Sequence, residues 1–327
     1  MQKLKILMEA RQTTIYFIAV VMAILIALLR PETAKLAAAI NPALALMLFV
    51  TFLQVPLASL KRSLTQLRFL AALLVANFIV IPLFLALLVP YLPADPLIRL
   101  GMLLVLLAPC IDYVVTFSHL GRADASRLLA ATPLLLMVQM PALPFYLGLF
   151  LGQDAAGLIH IAPFFHAFVW LIAIPLLLAG LMQWGARRSP ALDKLADGLG
   201  LLPVPATAGV LFVVAAAVIP QLQTNWTLVL TAIPIYLLFA IVAPAAGWLI
   251  GRLFHLAPAD GRAVAFSAAT RNSLVVLPLA LSIPGAIPIL PAIIVTQTLM
   301  ELLSELVYIR LIPKLTGYQA DRQPSDR

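Results

Sequence analysis

Solid runs of Leu, Ala, Val and Ile alternate with short polar breaks along the whole chain. They fall at about Ile15 to Leu29, Leu36 to Leu57, Phe69 to Val89, Leu97 to Leu120, Leu128 to Leu151, Ile161 to Trp184, Leu201 to Ile219, Trp226 to Ile250, Ala263 to Ile283 and Ile287 to Ile312. A helix needs roughly 20 apolar residues to cross a bilayer, and a membrane barrel would show short alternating segments instead. The pattern predicts an all-α membrane protein with ten transmembrane helices. The first run is as short as a signal-peptide core, but no small-residue cleavage site follows it and further runs do, so it reads as a retained helix. Ten spans divide into two sets of five. Because five is odd, the second set enters from the other face, giving two inverted five-helix repeats with broken, crossing fourth and ninth helices. Residues 1–186 then hold the first repeat and the sixth helix, 187–198 a charged cytoplasmic connector, 199–313 the remaining helices of the same membrane domain, and 314–327 a cytoplasmic tail.

Composition agrees with this pattern. The 327 residues are 63% hydrophobic and 10% charged, against about 25% charged in soluble domains, too few polar side chains to coat a surface in water. The net charge of +8 does not mark a nucleic-acid binder, because the basic residues sit at helix ends and not on one face. Summed over alternate loops, the N-terminal side holds seventeen Lys and Arg and the opposite side only Arg30, Lys35 and Arg99. Cytoplasmic loops carry that excess, so both termini are expected in the cytoplasm of a multi-pass protein of the bacterial inner (plasma) membrane. One cysteine cannot form an intramolecular disulfide. His119, His160, His166 and His255 lack metal-ligand spacing, and no phosphate loop or nucleophile elbow occurs. An enzyme, a cofactor and a metal site are not expected.

Charged groups at the bilayer centre cost roughly 2.5–3.5 kcal/mol on the lenient insertion scale and usually carry function. Four stand inside predicted spans: Asp112, Arg271, Glu301 and Glu305. The fourth span is interrupted at Ala108-Pro109-Cys110-Ile111-Asp112-Tyr113, and the ninth at Ser267-Ala268-Ala269-Thr270-Arg271-Asn272-Ser273. Pro109 removes a backbone donor and clashes with the preceding turn; Pro109 and Thr270 are therefore the expected break points. Paired breaks in corresponding spans point to a transport site. The plainer alternative is a proline kink in a packed helix with a structural Asp112–Arg271 ion pair. In either case Asp112 and Arg271 are expected to meet, since each would be expensive alone. The last span places Gln297, Glu301, Ser304, Glu305 and Tyr308 on one face. Two carboxylates one turn apart repel when both are ionised, so one is expected to be protonated or partnered, which suits coupling to protons. For Glu305, a pairing with Arg310 near the interface is the alternative.

At these residues the chain resembles the bile acid/sodium symporter superfamily, and within it the arsenical-resistance permeases that export arsenite. The resemblance rests on Ala108-Pro109-Cys110, Ser118-His119-Leu120, Arg122-Ala123-Asp124 and Arg271-Asn272-Ser273. It implies a secondary transporter with Cys110 as a transient thiolate ligand and Glu301 in proton coupling. Asp112, Arg271, Asn272 and Ser273 would shape the substrate site. Its departures concern sodium. Val114-Val115 stand where sodium-coupled relatives place Ser-Asn, Ser267 replaces their ninth-helix carboxylate, and Arg271 replaces a Gln. The arsenite exporters' ninth-helix glutamate is matched by Leu274. The expected partners are membrane lipid, a small solute and protons. The solute is arsenite or antimonite; the alternative is a small organic anion carried with sodium or protons and bound by Arg271. A non-transporting membrane sensor is a third class.

Overall fold

The computed structural model describes residues 5, 7–9, 11–54, 66–111, 113–152, 169–222, 226–281, 283 and 285–315. Among these the helices run α1 (Gln12–Leu29), α2 (Pro31–Gln54), α3 (Leu67–Tyr91), α4 (Pro96–Leu106), α5 (Tyr113–Leu120), α6 (Ala125–Leu151), α7 (Ile174–Ala186), α8 (Pro190–Leu199), α9 (Pro203–Leu222), α10 (Trp226–Leu230), α11 (Ile233–Leu253), α12 (Pro258–Ala269), α13 (Ser273–Leu281) and α14 (Ile289–Leu315). No strand occurs among the described residues, only one isolated antiparallel bridge between Pro109 and Arg271. Several helices begin on proline (α2, α4, α8, α9, α12), where its missing N–H would be unpaired in any case. Asp95 caps α4, accepting from the N–H groups of Leu97 (2.9 Å) and Ile98 (3.0 Å).

Among the described residues, seven helices are long and apolar enough to cross a membrane: α1, α2, α3, α6, α9, α11 and α14. The remaining apolar runs of the sequence are interrupted or incomplete. The fourth is split into α4 and α5, and the ninth into α12 and α13. The sixth ends in α7, preceded by a π turn at Val169–Ala173, and its first third lies outside the described residues. Two expectations are refined. The eighth run is not one rod: α10 ends at Leu230 and α11 starts at Ile233, followed by Pro234. The charged connector is itself helical over Pro190–Leu199, with no buried residue. The multi-pass reading agrees with an exterior that leaves large aliphatics such as Leu29, Leu83, Leu87 and Ile241 uncovered.

The helices pack in two groups. In one, α9 lies against α1 and α2, and α7 against α2; the Gln183 side-chain amide ties α7 to the carbonyls of Phe52 and Leu53 at 3.2 Å. In the other, α14 packs on α4 and α13, and α11 on α12. The α11–α12 seam is a small-xxx-small contact. A Cβ on Gly247 would sit 2.8 Å from Val264 O and 2.7 Å from Ala268 Cβ, and one on Gly251 would sit 2.9 Å from Gly261 Cα. Only glycine allows the two backbones this close. The α9–α14 contact joins the groups.

Candidate transport site at the crossing of two broken helices

The two interruptions meet. Cys110 N–H donates to Thr270 O (3.0 Å) and Asn272 N–H donates to Ala108 O (2.7 Å), forming the Pro109–Arg271 bridge. Each broken span thus uses the other as a one-residue strand partner, which satisfies backbone groups that lipid could not. Cys110, Thr270, Arg271, Asn272 and Ser273 are all buried, and the crossing brings them together with Pro109. Asp112 lies outside the described residues, and with it the expected Asp112–Arg271 pair.

The break leaves two helix N-termini, α5 and α13, and two C-termini, α4 and α12. The N-terminal side holds a carboxylate. Glu301 of α14 accepts from the Tyr113 hydroxyl (2.7 Å) at the start of α5, from the Arg271 N–H (2.7 Å) just before α13, and from the Gln297 amide (2.6 Å) one turn back on its own helix. Three donors, together with positive helix ends, supply what a buried carboxylate needs. Thr298 and Ser273 hydroxyls join α14 to α13 at 2.8 Å.

Glu305, one turn further along α14, is placed differently. It is fully buried, so the sequence alternative of an interfacial pair with Arg310 is not what forms. Depth is not visible in a helical face, and α14 continues ten residues beyond Glu305, to Leu315. The Thr270 oxygen lies 2.5 Å from Glu305 Oε1 and 2.7 Å from Phe266 O, while Glu305 Oε2 has no partner. Thr270 has a single hydroxyl proton and the carbonyl only accepts. Both short contacts are satisfied when the hydroxyl donates to Phe266 O and a protonated Glu305 donates to Thr270.

Arg271 turns to the opposite, C-terminal side. Its guanidinium donates to Asn77 Oδ1 (2.9 Å), Ser267 O (2.8 Å), Ala268 O (2.5 Å) and Leu106 O (3.3 Å), and its Cζ stands 5.3 Å from the centre of the Phe239 ring. Asn77 also donates to the Ser267 hydroxyl (2.9 Å). Sequence reasoning missed Asn77. The available signal was a lone amide amid the apolar run from Phe69 to Val89, a group that must find a partner when buried.

A cavity of about 50 Å³ opens between the two helix groups, lined by Gln12, Tyr16, Thr51, Thr207, Tyr113 and Thr116, with Lys5 and Glu9 also in its lining. Tyr113 therefore borders the cavity and touches Glu301. Cys110 and Arg271 do not line it. A second space of about 10 Å³, the size of one water, adjoins Gln297, Glu301, Ser304 and Tyr308. His119 and His255 are exposed; His160 and His166 lie outside the described residues. No group of three metal-ligating side chains occurs among the described residues.

A sequence profile of the Sodium Bile acid symporter family matches residues 41–225. That is more than half of the chain, and the protein belongs to this family of membrane solute transporters. The matched stretch contains Cys110 and Tyr113 and ends before α12, so Arg271, Glu301 and Glu305 lie beyond it. No curated protein matches the chain.

Proposed function

We propose that the chain is a ten-span secondary transporter of two inverted five-helix repeats, with both termini cytoplasmic, exporting arsenite or antimonite in exchange for protons. The carrying observation is the cavity of about 50 Å³ that ends on Tyr113, whose hydroxyl donates to the buried Glu301. A space of that size, with hydroxyls and amides among its lining and Lys5 and Glu9 as its charged residues, suits a small hydroxylated solute, and trivalent arsenic hydroxide, uncharged near neutral pH, is one. Cys110 is assigned as a transient thiolate ligand, because trivalent arsenic is thiophilic and a single thiol binds without trapping. It reaches the solute when the crossing shifts against α1, α2 and α9, since it is buried in the present conformation. Asp112, Arg271, Asn272 and Ser273 shape the site, and the breaks at Pro109 and Thr270 supply the helix ends. Glu301 and Glu305 carry the proton exchange, Glu305 being the one whose contacts are met by its acid form. Everted vesicles containing the protein should accumulate arsenite under an imposed proton gradient, and Cys110→Ser should abolish this. Normal transport by Cys110→Ser would refute the thiolate role.

A second reading, transport of a small organic anion with sodium or protons, is favoured by the family itself. Arg271, its natural anion ligand, is committed to four oxygens in this conformation. Transport retained in Cys110→Ala and lost in Arg271→Gln would select this reading.

A further inference from the structure

Three backbone carbonyls at the crossing lose their ordinary helical donors. In an unbroken helix Leu106 O would accept from Cys110 N–H, Ser267 O from Arg271 N–H, and Ala268 O from Asn272 N–H. Here those N–H groups turn instead to Thr270 O, Glu301 Oε2 and Ala108 O. The three freed carbonyls and Asn77 Oδ1 converge on the Arg271 guanidinium, which is completely buried. One nitrogen, Nη2, has two hydrogens and three oxygen neighbours at 2.5–2.9 Å. That is a positive charge set in a shell of oxygens more than a set of separate directed bonds. Leu106 closes α4, and Ser267 and Ala268 lie in the last turn of α12. Each helix C-terminus carries about half a negative charge, so the pair matches one monovalent cation.

Carbonyl and amide oxygens are the donors that hard cations prefer. The family description implies sodium as cargo, and the fit can be tested on this arrangement. It fails, because the oxygens are already engaged by a group that does not lose its charge in proteins and a second cation would be repelled by it. We propose that Arg271 is a tethered counter-cation: it permanently fills a cation site built from Asn77 and the carbonyls of Leu106, Ser267 and Ala268, and thereby removes sodium from the transport cycle. This goes beyond the solute proposed above and does not depend on which solute is carried.

The test is the melting temperature of the purified full chain in sodium chloride against choline chloride at equal ionic strength, with no solute added. The wild-type protein should melt at the same temperature in both. Arg271→Gln, which empties the site while leaving a side-chain carbonyl, should melt lower in choline and recover by roughly 2–4 °C or more, saturably, as sodium replaces it. Arg271→Lys keeps a tethered charge and should be as indifferent to sodium as the wild type. Saturable sodium-specific stabilisation of the wild type or of Arg271→Lys overturns the proposal, as does a folded Arg271→Gln that ignores sodium. If Arg271→Gln does not fold in choline, the wild-type and lysine measurements still decide. Loss of arsenite transport leaves these readouts unchanged, so failure of the solute assignment and failure of this inference are separable.

Discussion

Glu301 and Glu305 sit one turn apart on the same buried face of α14, yet their surroundings differ in kind. Glu301 receives three donors, one of them a backbone N–H released by the helix break. Glu305 meets one hydroxyl, which it shares with Phe266 O, and its second oxygen has no hydrogen-bond partner. Equal residue types one turn apart are therefore held differently, because the crossing presents the Arg271 N–H and the Tyr113 hydroxyl to the first and a single threonine to the second. The lesson is that a broken helix sorts charge along its own length.

The strongest way to break this comparison is Glu301→Ala. It leaves the Tyr113 hydroxyl, the Arg271 N–H and the Gln297 amide without their acceptor; at about 1–3 kcal/mol for each bare buried group, the melting temperature should fall by roughly 10 °C and vesicle transport should vanish. Glu301→Gln keeps one acceptor oxygen but turns an NH₂ toward donors. A loss of about 1–3 kcal/mol, read by thermal melting, and loss of transport are expected. Glu305→Gln sharpens the contrast. Its amide can donate to Thr270 as the acid does, so stability should change by less than about 1 kcal/mol while uptake into vesicles stops responding to an imposed pH gradient. A Glu305→Gln protein as unstable as Glu301→Gln would show that Glu305 is held as an anion. Tyr113→Phe removes one of the three donors to Glu301, with a cost of about 1 kcal/mol, and should lower initial transport rates without changing their response to the gradient.

Much of this site was legible in the chain before folding. Pro109 and the polar stretch Ser267 to Ser273 stand out against solid aliphatic runs, and their positions in the fourth and ninth runs place the breaks. The 26 prolines blur such reading, and Pro278, inside α13, ends nothing. Which backbone groups each break frees was not legible. It depends on the register of the Pro109–Arg271 bridge, a contact between segments some 160 residues apart that no local pattern encodes. For the same reason the sequence did not show that the Arg271 guanidinium reaches Asn77 and the carbonyls of Leu106, Ser267 and Ala268. Two groups of helices with a gap between them were likewise invisible, because hydropathy reports burial but not which neighbour provides it.

Gly247 and Gly251 also bear on how the molecule can move. Where two main chains touch with no side chains between them, slipping either by one position would drive a β-carbon into a carbonyl. That junction resists sliding, so displacement of α11 against α12 is opposed by the main chains themselves, and α12 leads directly into the crossing at Thr270. The gap bordered by Tyr113 and Thr116 is the opposite kind of junction, with polar side chains facing one another across open space and no main-chain contact to oppose their separation.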